Sequence, residues 1–442
     1  MIALRTFFTT VALLGAAAVA SAQETIVIRG GTVHPVSGPS FVGNVVIQGG
    51  RIAAVGADVD APAGARVIDA KGLHVYPGLF DAGSQLGLTE IEAVAVTNDI
   101  DELGDFTPHL QARTAVHPAS EHIPVARANG ITHTLALPGG SGGFRGASAG
   151  FPGQGSVFNL AGWTIEEMEI TPSAVMVMEW PPLRTTGGGR FGFGPAARER
   201  SFREVKEEHD RAVHNLREWL EQARGYDRAV AGGARIPRDL RLEALARAAK
   251  GELPVFVRVD QARDIRDVVA FAEQEGLKLI IGGAAEGYKV ADLLAEKKIP
   301  VILGPTQALP RSPDASYAEA YANPGMLHAA GVKIAFATFN SADSRTLPYE
   351  AAMATGYGLP RDVALRAVTL NPAEILGLGD RLGSIETGKI ANLIVTDGDP
   401  LEITTQIKHL IIGGRETSTD NKHQQLYEKY RARPKTATKA GT

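Results

Sequence analysis

Short runs of aliphatic and β-branched residues alternate with longer amphipathic stretches through the middle of the chain, while both ends carry strand-like runs with no helical period between them. Near the start, Ile26-Val27-Ile28, Val45-Val46-Ile47 and Ile52-Ala53-Ala54-Val55 read as strands. The last two are joined at Gly49-Gly50, which supplies the positive φ angles of a two-residue hairpin. Near the end, Ile390 to Thr396 and Ile407 to Ile412 read the same way. So few strands at either end cannot be stable alone, so residues 24–75 and 386–416 are expected to form one composite β-sandwich domain. Between them, eight strand candidates recur: Leu73 to Asp81, Ile131 to Leu137, Ser156 to Leu160, Ala174 to Glu179, Val255 to Asp260, Leu277 to Gly282, Val301 to Gly304 and Val332 to Thr338. Strands alternating with amphipathic helices mark a parallel sheet with crossover helices. Eight such units over residues 76–385 predict an α/β fold, a (β/α)8 TIM barrel, with its site at the C-terminal ends of the strands.

Helix ends support this reading. Asp239 is an N-cap for Leu240 to Lys250, which Gly251 follows, and Gly276 follows Ile265 to Glu275. Phe202 to Arg224 places Val205, Val213, Leu216, Trp219, Leu220 and Ala223 at helical spacing. Before it, Arg184 to Arg198 forms a Gly-rich insertion whose composition suits a lid over the barrel mouth and a plain surface loop equally. Residues 417–442 read as a polar tail.

The chain begins with Arg5, an apolar run from Val11 to Ala20 and the small-residue site Ala20-Ser21-Ala22, the pattern of a signal peptide over residues 1–22. The expectation is an exported, soluble protein, periplasmic or extracellular, with no membrane anchor. Cleavage would move the formal charge from -4 to -5, and neither value suggests nucleic acid as a partner. The absence of cysteine excludes disulfides, thiolate nucleophiles and Cys-ligated zinc.

Tyr76-Pro77-Gly78-Leu79-Phe80-Asp81-Ala82-Gly83-Ser84-Gln85 resembles the first barrel strand of the amidohydrolase superfamily, in its imidazolonepropionase-like and prolidase-like branch. Ile123 to Pro138 and Gly155 to Trp163 resemble the next two strands. Ala367 to Ala373 with Leu382 to Val395 resembles the closing segment, although Asn392 stands where that family usually has Asp. The resemblance implies hydrolysis of non-peptide C–N bonds or small dipeptide-like amides at a centre of one or two zinc ions. It also implies where the metal ligands would fall: the two first-strand histidines on Gly83 and Gln85, the fourth-strand lysine near Met176, the fifth-strand histidine on Arg258 or Asp260, the sixth-strand histidine on Gly283 and the eighth-strand aspartate on Phe339. Apart from Asp260, none of these is a metal donor of the family's kind, so the expectation is no metal cofactor.

What the strand ends do offer is polar. Arg258, Asp260 and Asp343 are the candidate catalytic residues, an acid serving as general base if burial raises its pKa. Ser84, Gln85, Asn340 and Arg345 are the candidate binding residues, and a salt-bridged plug in the vacated cavity explains the same set. The Gly-rich run Pro138 to Gly146 suits an anion held by backbone amides, or a long barrel loop. Three function classes stay open: the inherited hydrolase in a rebuilt site, a non-catalytic small-ligand-binding protein, and a pseudoenzyme subunit that supports an active relative, as a homo-oligomer or paired with an active paralogue.

Overall fold

The computed structural model describes residues 24–140, 149–183, 201–310 and 315–433. The expected signal peptide, the Gly-rich run from Ser141 onward and the insertion Arg184 to Arg198 lie outside the described residues. In chain order the strands are β1 (Ile26–Val33), β2 (Phe41–Gln48), β3 (Arg51–Gly56), β4 (Arg66–Asp69), β5 (His74–Pro77), β6 (Leu79–Ser84), β7 (Ile131–Ala136), β8 (Gly150–Asn159), β9 (Glu169–Glu179), β10 (Val255–Val259), β11 (Leu279–Gly283), β12 (Val301–Leu303), β13 (Ile334–Phe336), β14 (Leu393–Thr396), β15 (Ile407–Ile412) and β16 (Arg415–Glu416).

Strands from the two ends of the chain share one sheet, ordered β16-β15-β14-β5-β1-β2-β3, with β4 also paired to β1. The junction is the antiparallel pairing of β14 with β5, Leu393 opposite Pro77 through Thr396 opposite His74. Ile28, Val45, Ile47, Val75, Leu393 and Ile411 meet in a core of their own. The remaining eight strands run in sequence order from β6 to β13 and form a nearly closed barrel whose interior is lined by Phe80, Leu135, Val157, Val175, Val177, Phe256, Ile280, Ile302 and Ala335. A second apolar layer, including Met176, Met178, Leu216, Leu220, Leu245 and Val268, joins the outer barrel face to its helices.

Three features differ from the sequence reading. The stretch Leu73 to Asp81 is two strands, because the chain passes from the terminal sheet to the barrel at Gly78. There the approach is close: a Cβ on Gly78 would lie 2.2 Å from Thr132 Oγ1. The third barrel strand, β8, runs antiparallel to both neighbours. Residues 160–168 between β8 and β9 hold only one turn of helix, Ile165–Met168, and a parallel crossover needs a longer connection. The polar tail contains a helix, Lys422–Arg431, whose N-terminus is capped by the Asn421 side chain; its exposed polar faces hid it, since it buries no residue.

Candidate functional site

Side chains on a strand alternate faces, which selects what reaches the barrel mouth. Phe256 faces the interior on β10, so Arg258 and Asp260 follow on the same side. Ala335 and Ala337 face inward on and after β13, so Phe339 follows them. The same rule corrects the fourth-strand alignment. Met176 and Met178 point to the helix layer, and the inward residues of β9 are Val175 and Val177, neither of which carries a donor atom.

Phe339 stands where the resemblance places the family's eighth-strand acid. Its backbone is left-handed, φ 51°, an unfavourable conformation for a bulky aromatic residue. A tether holds it there: the Phe339 N–H donates to the Gly83 carbonyl at 2.8 Å. The ring then covers Gly83, where a Cβ would lie 2.8 Å from Phe339 Cε1 and 3.0 Å from Leu137 Cδ1. Phe256 packs 6.1 Å away, centroid to centroid, and the Arg258 guanidinium carbon stands 4.5 Å from the Phe339 centroid, within cation–π range. The sixth-strand position is covered as well. Gly283 has φ 81°, and a Cβ built on it would lie 2.5 Å from Asp260 Oδ1. Thus two positions at which the resemblance implies a metal ligand are glycines whose side-chain space is filled by a neighbour. Among the described residues, no group of three or more His, Asp or Glu is arranged to hold a metal ion.

Around this centre sit two shielded carboxyls. Glu179, at the end of β9, accepts the Gly140 N–H at 2.9 Å. Burial pushes its pKa up, while that bond and the positive charge of Arg258 pull the other way. Asp81 is fully buried at the seam between β6 and β13. Its Oδ2 accepts the Thr338 hydroxyl at 2.5 Å, and its Oδ1 accepts the backbone N–H groups of Thr338 at 3.1 Å and Gly83 at 3.3 Å. Burial outweighs these bonds and raises its pKa to about 7. The sequence reading took Asp81 only as part of a motif frame; an acid embedded in an apolar strand was the signal that it is buried and bonded.

A third buried group, His133 on β7, hydrogen-bonds through Nδ1 to Thr132 Oγ1 at 2.7 Å and Asn392 Nδ2 at 3.3 Å. Among the described residues its Nε2 has no partner, and burial lowers its pKa to about 3. Asn392 also binds Asn159 Oδ1 at 2.7 Å and accepts the Gly413 N–H at 2.8 Å, so the residue that departs from the family's Asp ties the barrel to the terminal sheet.

The other sequence-predicted residues separate into groups. Arg258 and Asp260 line a cleft with Gly283, Gly304, Thr306 and Glu319. Gln85 is half-buried, with its amide beside Gly140. Ser84 is buried in the wall, bonded to Thr134 Oγ1 at 2.7 Å. Asn340 and Asp343 form a turn in which Asn340 Oδ1 accepts the Asp343 N–H at 3.0 Å. The Arg345 guanidinium donates to the Ala342 carbonyl, and its own carbonyl accepts from Asn129 Nδ2 at 2.7 Å.

Comparison with known proteins agrees with this architecture. The amidohydrolase family matches residues 195–417. The amidohydrolase tasK of Hapsidospora irregularis is 26% identical over 388 residues, covering 82% of this chain and 38% of that protein. The imidazolonepropionase of Sphingopyxis alaskensis is 43% identical over 82 residues, 17% of this chain and 20% of that one. The matches therefore span well under half the length of these curated relatives. The crystal structure of an amidohydrolase from Thermotoga maritima MSB8 superposes with a TM-score of 0.74 at 28% identity, over 89% of this chain and 99% of that one. With half of its residues matched by the family and the barrel and terminal sheet in place, the chain belongs to the amidohydrolase family.

Proposed function

We propose that this amidohydrolase-family protein uses its barrel mouth as a metal-independent pocket for a small molecule. The observation that carries the reading is the Phe339 ring lying against Gly83 beneath the Arg258 guanidinium. A protein-bound zinc ion takes three or four nitrogen, oxygen or sulfur donors converging on one point. The family's ligand positions here supply a glycine at 83, a neutral amide at 85, a glycine at 283 and a hydrocarbon ring at 339. The resident guanidinium adds a fixed positive charge that would repel a second cation. These residues do not fit the family's metal centre, and no water-activating step is assigned to it.

A cleft lies beside this plug. Its enclosed part is small, about 70 Å³, and the remainder opens to solvent. Arg258 and Asp260 stand on one wall, and Leu303, Pro305, Leu309 and Pro324 give the others an apolar character. A binding pocket needs only these contacts, whereas the inherited hydrolysis needs an activated water. The test is a thermal-shift screen of small amides, carboxylates and amino acids, run with and without a chelator. A ligand that raises the melting temperature equally in both conditions supports the reading. Binding or turnover that disappears in chelator and returns with zinc would overturn it.

A further inference from the structure

Two helices outside the barrel, Glu319–Ala329 and Leu347–Thr355, carry an outer face unlike that of other surface helices. The stretches Ala320 to Val332 and Ala351 to Pro360 contain no Asp, Glu, Lys or Arg. Their inner sides are already committed to the fold through Leu327, Leu347, Ala351 and Ala354, all buried in the layer around the barrel. On the outer side Met326, Met353 and Tyr357 are 49%, 39% and 38% exposed. Elsewhere, exposed helix faces bear charges: Arg203 with Glu207 and Lys206 with Asp210 on Phe202–Ala231, and Arg431 with Glu428 on Lys422–Arg431. A helix that is apolar on every side is ordinarily covered on every side. A surface depleted of charge and rich in Tyr and Met has the composition of an interface core.

We infer that this face is the contact between two copies of the chain, paired about a two-fold axis. The helices are drawn together where Gly325 meets Gly358: a Cβ on Gly325 would lie 3.0 Å from the Gly358 carbonyl carbon. Beside that approach Tyr321 stacks on Tyr357, ring centroids 4.9 Å apart, and Met353 stands one turn before Tyr357 on the same side. An uncharged face offers an acidic or basic partner nothing to pair with, and would strip water from that partner's charges without return. Its complement is another uncharged face, and a second copy brings this one. A self-complementary patch closes as a two-fold dimer, the commonest soluble oligomer. Two helices side by side offer about 16 by 20 Å of contact. That lies at the small end of protein interfaces, so the pairing is a reversible monomer–dimer equilibrium. Nothing in it depends on what the barrel mouth binds.

The test is sedimentation velocity of the full chain over about 1 to 200 µM, the range in which a small interface associates. Expected is a sedimentation coefficient that rises with concentration from monomer toward dimer. Met353→Glu and Tyr357→Glu each place an unpaired charge in the contact and should raise the dimer Kd by about tenfold or more. The melting temperature at the lowest concentration should stay unchanged, because both side chains are exposed in the single chain. The chain has no cysteine, so Met353→Cys treated with a short bismaleimide should give a covalent dimer, and Tyr430→Cys on the helix Lys422–Arg431 should not. A chain that stays monomeric throughout, or a dimer indifferent to both glutamates, overturns the inference. So does a monomer that floats with phosphatidylcholine vesicles, which would assign the face to lipid. The wild-type concentration series and the cysteine pair decide the matter if a glutamate variant fails to fold.

Discussion

The guanidinium carbon of Arg258 lies 4.5 Å from the ring centroid of Phe339, although β10 and β13 are separated in the sheet by β11 and β12. The two side chains meet because each continues an inward-facing register, Phe256 to Arg258 and Ala337 to Phe339. A ring and a cation thus share the space at the top of the barrel. Gly83 makes that arrangement feasible by leaving the ring a flat backbone surface to rest on.

A double-mutant cycle tests this coupling. Gly83→Ala alone should destabilise by about 1–3 kcal/mol, the usual cost of forcing a methyl group into a filled space. Phe339→Ala should cost about 2–3 kcal/mol, below the range for a fully buried Phe because the ring is half-buried. In the Phe339→Ala background the cost of Gly83→Ala should fall by at least half, read as the interaction term from urea denaturation. Simple additivity would show that Phe339 does not fill the space above Gly83.

Asp81 predicts a pH dependence of known sign. Its folded pKa, about 7, exceeds the ordinary value of 3.8, so the folded state keeps a proton that the unfolded chain has already lost. The Asp81 contribution therefore reduces stability as pH rises from about 4 to about 7, at up to about 1.4 kcal/mol per pH unit. Asp81→Asn keeps an acceptor for the N–H groups of Thr338 and Gly83 and cannot ionise. Chemical denaturation at several pH values should show the variant gaining on wild type as pH rises through this window, and a constant difference would contradict the assignment.

His133 acts in the opposite direction. Its folded pKa is lowered from 6.5 to about 3, so the unfolded chain takes up a proton first as the solution is acidified. Its contribution is complete above about pH 6.5 and is lost as pH falls toward 3. Over the window they share, the two buried groups oppose each other, and the wild-type profile is flatter than either term alone. In His133→Asn the acid-side loss should be smaller relative to wild type, whatever the uniform cost of the cavity. An unchanged slope would mean that His133 does not titrate as a buried neutral ring.

Much of the architecture was legible in the chain. The alternation of β-branched runs with amphipathic helices, and strands at both ends, give the barrel and the shared sheet. The reversal of β8 was hidden because Ser156 to Leu160 reads the same in either direction, and only the short connection at residues 160–168 carries the signal. At the site, Gly83, Gln85, Gly283 and Phe339 could be read as departures from the family's wording. That Phe339 fills the room above Gly83, and that Asp260 overlies Gly283, depends on backbone geometry at positive φ, which no local pattern encodes. The orientation of Met176 required the strand register, and the bond from Asn129 to the Arg345 carbonyl joins residues distant in sequence.

Metal content is the most direct measure of the central claim. The full chain, produced with zinc and manganese in excess and dialysed against metal-free buffer, is analysed for elements alongside a metal-binding amidohydrolase carried through the same steps. The account predicts far less than one equivalent of any transition metal per chain, because Gly83, Gln85, Gly283 and Phe339 leave no converging donor set. About one equivalent or more, retained through dialysis and lost on substitution of Asp260, would place a metal among these strand ends and contradict it.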